Sequence, residues 1–190
     1  MPEAYDRSTL RTVDLRRFDD DRGYFLGSPI EAGWTQENLS LSKRGVLRGM
    51  HFQLGASAQT KQVRALTGKA VDVVLDMRKE SPTFRQAFSF LLDPAKPQYV
   101  LVPKGFAHAF VALEDNTLFQ YRIDASYDPS SERSVHWKSC EALFLEALKI
   151  HGLSERDLIL AKKDAEAPMF EDWFKLGEPV TGEERVTATA

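Results

Sequence analysis

The chain has 190 residues, 43% hydrophobic and 28% charged, with 25 Lys and Arg against 28 Asp and Glu for a formal net charge of −3. That length suits one core of ordinary size, the scattered basic residues form no arm for nucleic acid, and no window approaches the roughly 18 to 20 consecutive apolar residues of a membrane helix. No apolar leader follows Met1, and the lone Cys140 can form no internal disulfide, so a reducing, cytoplasmic setting is expected.

Most of the chain alternates with period two between turn residues. Leu39-Ser40-Leu41-Ser42 meets Lys43-Arg44-Gly45, and Val46 to Phe52 then resumes an extended run. Val63 to Leu66, Val71 to Met77, Phe88 to Leu92, Tyr99 to Val102, His108 to Leu113 and Leu118 to Ile123 follow, each bounded by Gly, Pro, Asp or Asn. About eight short strands at close spacing predict an all-β, antiparallel jelly-roll barrel or sandwich. Helical spacing enters only with Glu141 to Ile150, where Gly152 marks the stop. The expected organisation is a single domain over 1–190, with short C-terminal helical segments and the polar stretch 178–190 as a loosely held tail.

Two stretches carry the chemistry. Arg48-Gly49-Met50-His51-Phe52 and Pro103-Lys104-Gly105-Phe106-Ala107-His108 each set one histidine in an apolar, extended run. Imidazole titrates near neutrality and a buried one needs partners, so two facing one cavity point to proton chemistry. In a flat strand His51 shares a face with Leu47 and Gly49 while Arg48 faces away, although Gly49 permits a bulge that would bring Arg48 round. Lys61, ten residues after His51, can reach the same inner face across a hairpin, where its charge suits a developing oxyanion. Tyr121 and Tyr127 are six apart, which places them on one face of a continuous strand. Each group also has a plainer reading: a core histidine satisfied by a carbonyl, a lysine with its amine at the rim, tyrosines that only pack. A base on one side of a substrate and a phenol on the other would together permit inversion beside a carbonyl.

Pro103-x-Gly105-x-x-His108 resembles the second cupin motif, but the paired histidines and glutamate of the first are absent, since Phe52 and Gln53 follow His51. A metal site is therefore not expected. Walker-type and dinucleotide-binding glycine loops are absent, Ser40 and Ser42 sit in no nucleophile elbow, and Cys140 reads as incidental. Leu153-Ser154-Glu155-Arg156-Asp157 is echoed by Leu160-Ala161-Lys162-Lys163-Asp164, leaving two aspartates able to approach a histidine.

Gly45 to Gln53, Asp72 to Arg78 with Ser81-Pro82-Thr83-Phe84, Val102 to Phe110, and Tyr121 with Tyr127-x-Pro129 resemble, in order, the dTDP-4-dehydrorhamnose 3,5-epimerase family. The resemblance implies a metal-free cupin jelly roll without cofactor, a homodimer, acting on a nucleotide-diphosphate sugar. By that resemblance His51 is the base that removes a proton alpha to a C4 ketone and Tyr121 the opposite-face acid. Lys61 stabilises the enolate, and Asp164 orients the base, with Asp157 and Asp72 as alternatives. Arg48, Gln36, Asn38, His108 and Tyr127 match positions lining the sugar and diphosphate pocket, and Arg22 and Phe25 match a strand that reaches the nucleotide, commonly from the partner subunit. Three departures stand out. Gly27 occupies a place where the family usually has glutamate, the stretch from Phe25 to Gln36 is short, and the apolar run Ala142 to Ile150 replaces a Trp-Pro segment. The expected activity is epimerisation of a nucleotide-linked 4-keto-6-deoxyhexose at C3, C5 or both; the competing readings are a 3,4-ketoisomerase, a noncatalytic sugar-binding cupin and a metal-dependent dioxygenase.

Overall fold

The computed structural model describes residues 7–21, 23–27, 32–178 and 180. Twelve strands are defined among them: β1 (Arg11–Asp14), β2 (Arg17–Asp20), β3 (Gly23–Leu26), β4 (Gln36–Ser42), β5 (Leu47–Gln53), β6 (Lys61–Thr67), β7 (Ala70–Asp76), β8 (Ala87–Leu92), β9 (Gln98–Val102), β10 (Phe106–Ala112), β11 (Thr117–Ile123) and β12 (Glu132–Ser134). Three helices, α1 (Glu141–Ile150), α2 (Lys162–Ala165) and α3 (Phe170–Lys175), follow the last strand. The strands form one five-stranded sheet ordered β1-β9-β6-β11-β4, a second ordered β12-β5-β10-β7-β8, and a separate β2-β3 hairpin. All these pairings are antiparallel, and the interleaved order is that of a cupin-type jelly roll.

The second sheet is apolar on both faces because it is covered twice. On β7, Val71, Val73 and Leu75 point to one side and Ala70 and Val74 to the other. The inner side meets Val63, Val100, Val102 and Phe119 of the first sheet, where Phe110 and Phe119 stack with centroids 3.9 Å apart and planes 5° from parallel. The outer side would be left in water without the C-terminal segment, whose Trp137, Phe144, Leu148, Phe170 and Trp173 bury it. Trp173 meets Phe52 edge-on at 5.2 Å between centroids, within the favourable range for such pairs. Cys140 belongs to this layer, and burial pushes its thiol up to about 12, which removes it from nucleophilic chemistry. The departure at Ala142 to Ile150 is thus a core helix, α1, with Phe144, Ala147 and Leu148 turned inward.

The first residues of the expected tail make contacts with the domain. Glu178 is ion-paired with Arg133, at 2.5 Å to Nε and 2.8 Å to Nη2, and Val180 packs against the outer core. Residues 181–190, which the expected tail also covered, lie outside the described residues, as do 28–31 of the shortened connection. Periodicity did not show β1, β2, β3 or β12, elements of three or four residues that are too short for alternation, and only the resemblance had placed Phe25 of β3 on a strand.

The β5–β10 ladder is irregular at one point. His51 pairs with His108 but Arg48 with Phe110, so Gly49 and Met50 together oppose Ala109. Gly49 has φ +122°, and a Cβ there would lie 2.5 Å from the His108 carbonyl oxygen and 2.6 Å from the Ala109 Cβ. Only glycine fits this bulge. Gly49→Ala should therefore lower stability by roughly 1–3 kcal/mol, as a strained backbone position does, and displace His51; urea denaturation combined with the His51 NMR resonance checks both, and an unchanged midpoint would show that the strand re-registers.

Candidate active site

The bulge decides which residues of β5 face the interior. Residues 48 and 51 are an odd number apart, so a regular strand would put them on opposite faces. The extra residue brings Arg48 and His51 onto one wall, while Leu47, Met50 and Phe52 enter the outer core. This corrects the flat-strand expectation that Leu47 shares the face of His51. Between the sheets the wall bounds a cavity of about 700 Å³, which Gln36 and Asn38 of β4, Lys61 of β6, His108 of β10 and Tyr121 of β11 also line.

Asp164, not Asp157 or Asp72, reaches His51. After α1 the chain returns along the edge of β5: the Leu47 N–H donates to the Ile159 carbonyl at 3.0 Å and the Ile159 N–H to the Gly45 carbonyl at 2.9 Å. Within the short helix α2 that follows, the Asp164 side chain is only 3% exposed, with Oδ1 at 2.5 Å from His51 Nε2. Its Oδ2 accepts the Gly49 N–H at 3.4 Å. Burial works to raise the Asp164 carboxyl, but the His51 contact, the Gly49 N–H and the Lys163 charge outweigh it and hold the group below its ordinary range. An ionised Asp164 can only accept, so Nε2 carries the hydrogen and Nδ1 is left as the basic nitrogen. Asp157 is spent locally, taking the Ser154 N–H and hydroxyl at 2.8 Å each in a capping box.

Asp72 forms the second dyad. It is fully buried, with Oδ2 at 2.6 Å from His108 Nε2. Its Oδ1 has no hydrogen-bond partner among the described residues, and the Asp72 charge favours the ammonium form of Lys61. The Lys61 Nζ donates to the His51 carbonyl at 3.2 Å. Burial lowers this amine to about 8, against the pull of the Asp72 and Glu132 charges. Burial likewise raises the Tyr121 phenol, so at neutral pH it is a protonated donor.

The remaining expected residues are arranged as follows. Gln36 and Asn38, two apart on β4, join through Nε2 to Oδ1 at 2.7 Å on the cavity wall, and the Arg48 Nε donates to the Ser42 hydroxyl at 3.2 Å. Tyr127 does not share a strand with Tyr121: β11 ends at Ile123. It lines the mouth from the following loop, half exposed, and donates to Glu132 Oε2 at 3.2 Å. Phe25 is not brought to the cavity of its own chain; it lies on the β2–β3 hairpin, 68% exposed. Arg22 lies outside the described residues.

Sequence reasoning missed two charged residues at the mouth, Glu132 and Lys163, joined at 3.1 Å. Lys163 was signalled only by its place beside Asp164, and Glu132 sits in a three-residue strand that no periodicity reveals. Among the described residues no three His, Cys, Asp or Glu side chains gather as metal ligands would, and no helix is long and apolar enough to cross a membrane.

Comparison with known proteins bears on this geometry. A family model described as dTDP-4-dehydrorhamnose 3,5-epimerase matches residues 8–172. The protein of that name from Salmonella typhimurium is 38% identical over 169 residues, spanning 84% of this chain and 89% of the relative. The crystal structure of the Elizabethkingia anophelis enzyme superposes with a TM-score of 0.74 at 35% identity, covering 86% of this chain and 92% of that one. That of dTDP-6-deoxy-D-glucose-3,5-epimerase from Legionella pneumophila, in complex with dTDP-4-keto-L-rhamnose, superposes at 0.76 with 30% identity over 92% and 94%. With its cupin-type sandwich and a match running from the first strand to the last helix, the chain belongs to the dTDP-4-dehydrorhamnose 3,5-epimerase family of isomerases.

Proposed function

We propose that this epimerase inverts C3, C5 or both of a dTDP-linked 4-keto-6-deoxyhexose, with His51 as base and Tyr121 as acid. The observation that carries the reading is that the two groups project from opposite sheets into one cavity, His51 from β5 and Tyr121 from β11. A sugar held between them presents one face to each. His51 Nδ1 takes the proton alpha to the C4 ketone, the C–H electron pair moves into the C3–C4 or C4–C5 bond, and negative charge collects on the C4 oxygen. Lys61, protonated, stabilises that oxygen, with His108 held beside it by Asp72. Tyr121 returns a proton to the opposite face of the carbon, the enolate collapses to the ketone, and exchange with water resets both groups. A 3,4-ketoisomerase that moves protons on one face needs a base alone, so the opposed phenol favours inversion.

Arg48, Gln36, Asn38 and Tyr127 are the proposed partners of the sugar and diphosphate. The homodimer is proposed on the β2–β3 hairpin: an isolated hairpin is marginal in water, and this one exposes Phe18, Tyr24 and Phe25. Packing against a second copy would bury these rings and carry Phe25 and Arg22 to that copy's nucleotide. A cytoplasmic setting suits the single buried cysteine.

Proton NMR with dTDP-4-keto-6-deoxyglucose in deuterated water tests the reaction. Wild type should wash deuterium into C3, C5 or both; His51→Ala should lose wash-in at every carbon, and Tyr121→Phe should keep wash-in while losing inversion at C5. Wash-in at the wild-type rate in His51→Ala would overturn the base assignment.

Lys61 sets a pH dependence. Its amine stabilises an enolate only while protonated, and with its pKa near 8 that form is lost as pH rises through that value. The rate should fall above about pH 8, and Lys61→Arg, charged throughout this range, should push the fall to higher pH. Steady-state rates from pH 6.5 to 10 read the difference.

Gly27 bears on the nucleotide. A glutamate there could accept from the imide N–H of thymine, and losing one such bond costs on the order of 1 to 2 kcal/mol, about tenfold in affinity. Among the described residues a Cβ at Gly27 meets only the Phe25 ring, at 3.7 Å, so a side chain fits. Calorimetry should find wild type preferring dTDP over GDP by less than about a hundredfold, and Gly27→Glu widening that preference about tenfold.

A further inference from the structure

Two charged groups at the cavity mouth take no part in the steps above. Glu132 opens β12 opposite Gln53 of β5, and Lys163 sits on α2 immediately before Asp164. The Lys163 Nζ donates to both Glu132 oxygens, at 3.2 and 3.1 Å, and Oε2 also accepts the Tyr127 hydroxyl at 3.2 Å. Exposed pairs of this kind add little to stability. Their field is another matter, because both line the cavity that holds the buried Lys61 and Tyr121, where screening is weaker than in water.

We propose that Glu132 and Lys163 are an opposed pair of positioning charges, Glu132 holding the proton on Lys61 and Lys163 pressing it off, which together set the pH range over which Lys61 can serve an enolate. The inference rests on the role given to Lys61 above. The charged and titratable groups that line the cavity with that amine are Arg48 and His51 of β5, His108 of β10, Tyr121 of β11, Tyr127 of the loop after it, Glu132 of β12, and Lys163 and Asp164 of α2, with Asp72 of β7 behind His108. Asp72 and His108 are locked together in the interior, so their contribution is fixed by the fold. The pair at the mouth is the adjustable part. Against the desolvation that lowers this amine, the Asp72 and Glu132 charges favour the ammonium and the Lys163 charge opposes it. Glu132 and Lys163 act on the Tyr121 phenol with the same signs.

A purely structural latch and an electrostatic pair differ in one respect. Cutting a latch from either end loses the same contact, so both variants change alike. Removing the two charges separately must move Lys61 in opposite directions. The test is a carbon NMR titration of protein labelled at lysine Cε, with the Lys61 resonance identified by its loss in Lys61→Arg. Its midpoint should fall in Glu132→Gln, rise in Lys163→Gln, and return towards wild type in the double variant. Midpoints that move in one direction in both single variants, or in neither, overturn the proposal. This readout needs no substrate, so it stands apart from the epimerase reading, which fails separately if wild type exchanges no sugar proton. In active enzyme the basic limb of the rate profile should follow the midpoint in each variant; a limb that stays while the midpoint moves overturns the link to the reaction.

Discussion

The Asp164 carboxylate holds together what the rest of the site needs. One oxygen is bonded to His51 and the other receives the N–H of Gly49, the residue at which β5 bulges. A buried carboxylate must find donors or be protonated, and here the donors are the ring it orients and the backbone that turns that ring inward. The orientation of the His51 ring and the strand irregularity are thus stabilised by one group, delivered from 113 residues further along the chain. A strand of ordinary register would offer His51 or Arg48 to the cavity, but not both.

The second sheet shows why that delivery is dependable. Its outer face is apolar and would be exposed without the C-terminal segment, so covering it is a driving force for docking α1 and α3. Asp164 lies between these two helices in sequence and is carried into place by a burial that has nothing to do with catalysis. The backbone bridge between Val46 and Ile159 then fixes where the segment passes the edge of β5. Hydrophobic coverage supplies the energy and a few directed bonds supply the position.

Electrostatically the cavity is a balance of unlike neighbours. Each histidine has its own carboxylate, Asp164 for His51 and Asp72 for His108, so each ring is fixed in one tautomer. Among the described residues Lys61 has no carboxylate in direct contact; its bonded partner is a carbonyl oxygen, and burial weakens its hold on a proton. A desolvated ammonium bonded to a neutral carbonyl is suited to receive a new negative charge, because no carboxylate has to be displaced from it first.

Much of this was legible in the sequence. Period-two alternation bounded by Gly, Pro and Asp marked eight strands and the all-β class, since pleating alone dictates which residues share a face. Helical spacing marked α1, and the histidines, lysine and tyrosine stood out as polar groups in apolar runs. What sequence could not decide was every choice that depends on contacts between distant segments. Asp157 and Asp164 close two segments that share their leading Leu and closing Asp, and one became a local cap while the other became the partner of His51, because only the chain path beyond Ile159 brings a carboxylate to β5. Asp72 went to His108 because the β7–β10 register places them on adjoining strands. Arg48 joined His51 through a bulge that glycine permits but only the opposing strand imposes. Glu132 and Lys163 were invisible, lying 31 residues apart in elements too short for any pattern. Local periodicity is a property of the backbone and travels with the sequence; pairing between charges is a property of where the sheets and the covering helices set them, and only the folded chain decides it.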